Sequence, residues 1–109
     1  MNNSEVNRRV AEEVLGWYFD DVCKVWYEVV GGGLSGLPDR KWHHNFNPSE
    51  NISDAWMVVE KLRKNHRIDV TSWIDGFQCC IIDNDGESCY KDAESAPLAI
   101  SLAALEAVK

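Results

Sequence analysis

The residues best suited to chemistry in this chain are two adjacent histidines, His43 and His44, which lie between Trp42 and Phe46. Imidazoles act as general acids or bases near neutral pH, and neighbouring aromatic rings can recognise a ligand by stacking. Adjacent residues on a strand point to opposite faces, so the pair cannot readily bind one metal ion. No partner carboxylate is identifiable for catalysis. Three interpretations stay open: a structural strand edge, a catalytic pair, and a candidate binding surface of Trp42, His43, His44 and Phe46.

A second cluster is acidic and partly matches a calcium-binding loop. Asp83, Asp85, Glu87 and Glu94 fall at positions 1, 3, 5 and 12 of such a loop. Gly86, however, falls at position 4, where a calcium loop needs its glycine at about position 6. The segment also alternates like a strand. We therefore predict a hairpin tip, with no metal ligand and no cofactor.

The four cysteines are the remaining candidates for reactive groups. Cys23, Cys79, Cys80 and Cys89 contain no Cys-x-x-Cys pair, and adjacent cysteines cannot easily bridge each other. A reactive thiol needs a basic neighbour or a helix N-terminus, and the sequence guarantees neither. No Gly-x-Ser-x-Gly nucleophile motif is present. We expect reduced, mostly buried thiols, a cytoplasmic protein in the host cytosol, and no catalytic residue.

The charge balance argues against nucleic acid as the partner. The chain has 11 Lys and Arg against 18 Asp and Glu, for a net charge of −7. The densest basic cluster, at residues 61–67, ends a predicted helix, where positive charge complements the helix dipole or contacts an anion. No basic stripe is visible, so we predict no nucleic-acid binding through a basic patch. The N-terminus predicts no secretory signal, and no apolar run reaches the roughly 18 residues that span a membrane.

The elements that position these groups begin with a helix over residues 4–15, capped by Ser4 or Asn3 and stopped by Gly16. Valines recur on one face every four residues, at Val6, Val10 and Val14. Residues 22–30 are rich in β-branched and aromatic types and predict a strand with one partly wet face. Residues 31–38 predict a flexible glycine-rich connection without a phosphate-loop signature. A short strand is expected at residues 41–45.

A second helix is predicted within residues 47–62, with candidate caps at Ser49, Asn51 and Ser53. Its apolar face is expected to consist of Ile52, Ala55, Trp56, Val59 and Leu62. Burial of the large indole would stabilise the fold by about 2 to 3 kcal/mol, so Trp56→Ala is expected to be severe.

Three strands of an antiparallel meander are then predicted, at residues 67–74, 77–82 and 87–91. Asp75-Gly76 and Asp85-Gly86 are strong hairpin signals between them. If the second turn is a two-residue loop, Ile82 faces Cys89 and Ile81 faces Tyr90. The last helix is predicted to start at Ser95 with Pro97 in its first turn. This helix is apolar nearly all round, so it is buried either in the centre of the fold or against another protomer. A homo-oligomer is therefore one of two possibilities.

Three segments, at residues 7–17, 47–62 and 95–105, resemble the phage ABA sandwich domain family. The most distinctive strings are Ile-Ser-Asp-Ala-Trp-x-Val-Val-Glu-Lys at residues 52–61 and Ala-Pro-Leu-Ala-Ile at residues 96–100. The resemblance implies an α+β protein, a three-layer α/β/α sandwich with a mainly antiparallel sheet and three helices, and a phage or prophage source. It carries over no catalytic residues. We expect a single domain over residues 1–109; residues 22–41 depart most from the family pattern.

Function is expected to follow from binding. The leading hypothesis is a non-enzymatic phage accessory protein that binds a host or phage protein, because catalytic groups are not readable. The alternative is a protein that binds or sequesters a small molecule, such as a nucleotide signal of host defence, by stacking on Trp26, Trp42 or Phe46. An enzyme with a site not readable from sequence is the third hypothesis.

Overall fold

The structure, a computed structural model, describes residues 1–31 and 39–109. Its helices are α1 (Asn3–Arg9), which continues into a π-helical turn (Val10–Val14), α2 (Ile52–Leu62) and α3 (Ala96–Ala107). Its strands are β1 (Tyr18–Asp20), β2 (Val25–Val30), β3 (Asp39–His43), β4 (Arg67–Trp73), β5 (Gly76–Ile82) and β6 (Ser88–Ala93). Apart from Gly31, the connection predicted at residues 31–38 lies outside the described residues.

The described strands form two antiparallel sheets of three strands each. The first sheet has the order β1-β2-β3, and the second has the order β4-β5-β6. The α+β class, the three helices and the antiparallel pairing are confirmed, but the single sheet that the sequence predicts is wrong. The three-layer sandwich is not confirmed: α3 packs against one face of the second sheet, whereas Thr71 and Tyr90 on the other face are exposed.

The centre of the core is α3, which packs against β5 and β6 and also against α2 and the π-helical turn. Ser95 caps it, since its Oγ accepts a hydrogen bond from the backbone N–H of Leu98 at 3.4 Å, and Pro97 lies in the first turn as predicted. Its buried residues are Ala99, Ile100, Ser101, Ala103, Ala104 and Leu105. Burial within one chain therefore accounts for the apolar character of this helix, without a second protomer.

The first helix begins one residue earlier than predicted, because the side chain of Asn2 accepts from the backbone N–H of Glu5 at 2.8 Å. The predicted valine stripe is confirmed: Val6, Val10 and Val14 are buried. A π-type hydrogen bond from Leu15 N–H to the carbonyl of Val10, 3.1 Å long, widens the last turn. Gly16 then adopts the left-handed conformation, with φ of +70°, and ends the helix as predicted.

The chain enters the first sheet through β1, a strand that the sequence analysis missed. The carboxylate of Asp20 accepts hydrogen bonds from the N–H groups of Val22 and Cys23, both at 2.9 Å. Lys24 follows with φ of +57°, and the chain reverses into β2. The strand predicted over residues 22–30 is therefore too long at its start, because Asp20 directs a turn there.

The strand predicted at residues 41–45 is shifted in the structure, where β3 ends at His43. Asn45 lies in the left-handed region with φ of +56°. Asparagine tolerates that conformation better than most residues, and it breaks the extended backbone. The shift decides which side chains of this segment share a face.

The predicted meander is confirmed as β4, β5 and β6, but the second hairpin has a different register. Ile81 faces Cys89 and Ile82 faces Ser88, one residue from the predicted pairing. The carbonyl of Asp83 accepts from Gly86 N–H at 3.1 Å, and Gly86 has φ of +85°. This combination makes a three-residue loop with a glycine bulge instead of a two-residue turn.

The first hairpin turns at Ile74 and Asp75, because Trp73 pairs directly with Gly76. Gly76 is needed for space: a Cβ there would lie 2.7 Å from the carbonyl oxygen of Ala93 on the neighbouring strand.

The predicted buried face of α2 is wrong in part. Asn51 caps the helix by accepting from Asp54 N–H at 3.1 Å, and the buried residues are Ala55, Val58, Val59 and Leu62. Trp56 is 49% exposed and Ile52 is 51% exposed. Because α3 presents small side chains to this helix, a face of alanine, valine and leucine fits better than one carrying an indole.

Two variants of α2 separate these faces. Val58→Ala is expected to lower the free energy of unfolding by about 2 kcal/mol, because it leaves a cavity at a fully buried position. Trp56→Ala, at an exposed position of the same helix, is expected to change it by less than about 1 kcal/mol. Urea unfolding measures both. A larger loss for Trp56→Ala than for Val58→Ala would contradict this packing.

Candidate functional site

His43, the centre of the predicted cluster, faces the interior. Its ring stacks on Trp17, with centroids 3.8 Å apart and planes 4° from parallel. Its Nε2 lies 2.9 Å from Oε1 of Glu28 on the adjacent strand. The carboxylate only accepts, so the imidazole nitrogen donates. With its side chain 11% exposed, His43 connects the first sheet to the end of the first helix.

The other three residues of the predicted surface lie in different environments. Phe46 is buried, with its ring centroid 4.7 Å from that of Trp17. His44 is exposed just beyond β3, and Trp42, 40% exposed, lies on the opposite face of the first sheet from His43. The structure therefore brings His43 and Phe46 together around Trp17 but does not gather all four residues on one surface.

The outer face of the first sheet carries a row of aromatic side chains. Tyr18, Tyr27 and Trp42 are directly opposite one another on β1, β2 and β3. The centroids of Tyr18 and Tyr27 are 5.6 Å apart, and those of Tyr27 and Trp42 are 5.3 Å apart. The guanidinium of Arg40 lies 4.6 Å from the centre of the Tyr27 ring, within cation–π range. We call these four residues the aromatic row.

Sequence reasoning found one member of the aromatic row, Trp42, and missed the others. The alternation of residues along β2 places Tyr27 on one face, and Arg40 lies two residues before Trp42. These two assignments were available from period-two spacing. Tyr18 was not, because no strand is predicted between Gly16, where the first predicted helix stops, and residue 22.

The inner face of the first sheet borders a cleft of about 470 Å³ beside the first helix. Phe19 and Trp26, which are opposite each other on β1 and β2, meet edge-on with centroids 5.0 Å apart, and both line the cleft together with Phe46. Arg8 lies at the rim, where its Nη1 is 3.4 Å from Oε1 of Glu12. Glu12 also lines the cleft, so its aromatic side chains have an arginine–glutamate ion pair at the edge, an arrangement that can hold a planar small molecule against the rings.

A hydrogen-bonded clamp holds Phe46 in position by joining the first helix to the turn after β3. The side chain of Asn7 donates to Asn47 Oδ1 at 2.7 Å and accepts from the backbone N–H of Ser49 at 2.9 Å. Hydrogen bonds from Asn3 and Asn47 hold the pKa of Glu50 below its ordinary value. The cleft is thus formed between two connected elements.

A larger surface cavity, about 640 Å³, lies elsewhere, beside the β4–β5 turn. Its lining combines apolar residues with the carboxylates of Asp75, Asp92 and Glu94. It lacks the convergence of aromatic and basic groups found on the first sheet, so the two faces of that sheet are the stronger candidates.

The cysteines are all free thiols, but the expectation that they are mostly buried is wrong: Cys79 is buried, Cys23 is exposed, and Cys80 and Cys89 are partly exposed. The residues of the calcium candidate have a structural role. The carboxylate of Asp83 accepts from the N–H groups of Asp85 and Glu87, both at 2.9 Å, as part of the hairpin turn. Within residues 1–31 and 39–109, no group of three or more His, Cys, Asp or Glu side chains is placed to hold a metal ion. No helix in the described part of the chain is long and apolar enough to cross a bilayer.

Comparison with known families adds an identification to this geometry. The model of the phage ABA sandwich domain matches residues 8–105, which contain the end of α1, the π-helical turn, both sheets, α2 and most of α3. The chain belongs to the phage ABA sandwich domain family. The resemblance expected from the three sequence segments is therefore confirmed.

A solved structure supports the same assignment for this phage ABA sandwich domain. The chain is similar to a phage protein from Bacillus cereus ATCC 14579, whose crystal structure was determined at 2.0 Å. The TM-score is 0.65 at 25% sequence identity, and the match covers 99% of this chain and 88% of that one. Comparison with curated proteins gives no match. Family and neighbour together support a phage origin.

Thiol chemistry gives a direct test of the core. Burial raises the pKa of Cys79 to about 12, so its thiol stays protonated in the fold. In native protein near pH 8, roughly the pKa of a free thiol, iodoacetamide is expected to modify Cys23 quickly and leave Cys79 unmodified. Peptide mass mapping measures both sites. Equal labelling of the two thiols in native protein would contradict the burial of Cys79.

The same shift predicts a dependence of stability on alkaline pH. The pKa of Cys79 is raised from 9.0 to about 12, so its contribution to stability is fully present below pH 9.0 and is lost as the pH rises towards 12. Cys79→Ala should reduce this alkaline decline, and Cys23→Ser should leave it unchanged. Urea unfolding at several alkaline pH values is the measurement.

Proposed function

We propose that the protein is a non-enzymatic phage accessory protein that binds a host or phage protein through the aromatic row. The supporting observation is its composition and exposure: Tyr18 is 56% exposed and Trp42 is 40% exposed, and Arg40 lies against Tyr27. Tyrosine, tryptophan and arginine are the residues that most often carry the binding energy of protein interfaces. Singly exposed aromatics are common on protein surfaces, but three in register across a sheet make a contiguous patch.

The aromatic row is suited to binding because it is already ordered. Cross-strand pairing fixes Tyr18, Tyr27 and Trp42 relative to one another. Beneath them, the stacking of His43 on Trp17 and its hydrogen bond to Glu28 anchor the same strands to the helical core. A partner therefore meets side chains with little rotational freedom left to lose, which reduces the entropic cost of association.

The charge of this face favours a protein over a nucleic acid. Arg40 is accompanied by Asp20, which lies on the same face of the sheet, and the whole chain has a net charge of −7. Nucleic-acid binding draws most of its affinity from neutralised phosphates, which needs several basic groups on one surface. The aromatic row, which contains one arginine and lies on the same face as one carboxylate, fits a mixed polar and apolar protein surface better than it fits a nucleic acid.

A capture experiment tests the proposal. Immobilised wild-type protein is exposed to lysate of the infected host, and the captured protein is identified and purified for calorimetric titration. Trp42→Ala is expected to weaken its binding at least tenfold, which is about 1.4 kcal/mol, because a hot-spot aromatic is lost. The matched control is Trp56→Ala, a tryptophan of similar exposure on α2. Equal affinity for wild type and Trp42→Ala would contradict the proposal.

A second candidate function is supported by a separate observation, the cleft on the inner face. Trp26 and Phe46, two of the aromatics expected to stack on a base, both border it, together with Phe19 and Arg8. We propose a small-molecule ligand of the nucleotide class as the alternative occupant, with its base against the aromatics and a phosphate near the guanidinium.

Native mass spectrometry of gently purified protein distinguishes the two candidates. A bound nucleotide would add mass that disappears on denaturation. That mass is expected to be lost in Trp26→Ala and kept in Trp42→Ala, because the two indoles lie on opposite faces of the sheet. A ligand retained by Trp26→Ala, or bare protein in every preparation, would count against the cleft as a ligand site.

A further inference from the structure

Among the residues that the structure describes, none pairs with the outer side of β4, which is an edge of the second sheet. It pairs with β5 on one side, and along the whole of Arg67–Trp73 every residue except Ile68 is exposed. Val70 is 40% exposed although it lies on the same face of the sheet as the buried Cys79, because α3 packs mainly against β5 and β6 and covers less of this edge. Exposed edge strands are templates for pairing with another chain unless they are blocked by charge, proline or a cover.

The free backbone groups of β4 can be assigned from its turn. The two-residue connection makes Trp73 and Gly76 a hydrogen-bonded pair, so alternate residues back to Arg67 bond to β5. The N–H and C=O groups of the residues between them point outward: they belong to Ile68, Val70 and Ser72. Three alternate residues on this edge thus offer about six backbone hydrogen bonds to a second strand.

The sequence of β4 is complementary to itself about Val70. When a second copy of this strand pairs antiparallel with Val70 opposite Val70, Ile68 faces Ser72. In this register the outward N–H and C=O groups of one copy lie opposite the outward C=O and N–H groups of the other and can form hydrogen bonds with them. On the other face of the sheet, Asp69 faces Thr71, an acceptor opposite a hydroxyl donor.

The ends of the strand also match in this register. Arg67 of one copy faces Trp73 of the other, where a guanidinium can lie against an indole. Within each chain, Nε of Arg67 also lies 3.4 Å from Oδ2 of Asp69. This positive charge offsets the repulsion between the two Asp69 carboxylates, which approach each other across the two-fold axis of the dimer.

The opposite edge of the sheet is less suited to such pairing. At the middle of β6, Lys91 and Asp92 are adjacent charged residues, and charges on an edge strand oppose association. In β4 the two charged residues, Arg67 and Asp69, lie in the first half of the strand, and the run Val70-Thr71-Ser72 that follows is uncharged.

We infer that two copies of this chain associate through β4, joining their second sheets into one continuous six-stranded antiparallel sheet. The two Val70 side chains cover each other beyond the ends of α3. The aromatic row lies on a different sheet and stays exposed, so the dimer presents two copies of it. The inference is independent of the proposed function.

Sedimentation equilibrium of the full chain over a range of concentrations tests the inference. Wild type is expected to show a reversible monomer–dimer equilibrium that strengthens with added salt, because each copy has a net charge of −7. Val70→Lys is expected to be monomeric with an unchanged thermal melt, because it opposes two ammonium groups at the axis. Tyr90→Lys makes the same charge change on β6 and should dimerise as wild type does.

Each outcome decides the inference. A wild type that is monomeric at every concentration and salt level overturns it, as does a dimer that survives Val70→Lys or is lost only in Tyr90→Lys. The register is tested separately in a Cys23→Ser background. There, Val70→Cys should form an intermolecular disulfide, because paired Cα atoms are roughly 5.5 Å apart. Tyr90→Cys, which keeps β4 unchanged, should form no intermolecular disulfide, and cross-linking of Tyr90→Cys in preference to Val70→Cys would contradict the inference.

Discussion

The structure depends on the burial of α3. This helix contacts the second sheet, α2 and the π-helical turn, and its alanines at positions 99, 103 and 104 are fully buried. Small side chains let the surrounding elements approach closely, so the core around α3 is mainly valine, alanine and leucine, with Ile100 of α3 itself and Cys79 and Ile81 from β5. Because a helix buried on most of its surface cannot be moved without exposing all its neighbours, α3 fixes the positions of the other helices and of the second sheet.

The first sheet is attached to this core by different interactions. Its contacts with the helices centre on Trp17, which meets both His43 and Phe46, and on the asparagine clamp between the first helix and the turn after β3. The consequence is a rigid sheet with two available faces. The outer face carries the aromatic row, and the inner face borders the cleft. Binding can therefore be the work of this sheet while the rest of the molecule supplies stability.

The sequence predicts those features that depend on residues close together in the chain, and it fails where distant residues decide the structure. The cap at Ser95 and the meander depend on neighbouring residues, and both are confirmed. Trp56 was misplaced because spacing alone does not decide which of two overlapping apolar faces of a helix is buried. The small residues of α3 select the face that carries Val58. The register at Asp83 changed because one glycine bulge shifts a whole strand. The four residues of the candidate surface lie in different environments because the directions of His43 and Phe46 depend on where β3 ends. Tyr18 lies on the same face as Trp42 because β1 and β3 both pair with β2, and the pairing of β2 with β3 joins segments that are far apart in the sequence.

The most direct measurement of the central claim is site-specific photocross-linking in the infected host, with benzoylphenylalanine placed in turn at Tyr18, Trp42, Trp26 and Trp56. If the outer face of the first sheet is the binding surface, positions 18 and 42 will cross-link the same protein, while position 26 on the inner face and position 56 on α2 will not. Cross-links to a protein only from positions 26 or 56, or none from positions 18 and 42, would contradict the assignment of binding to the aromatic row.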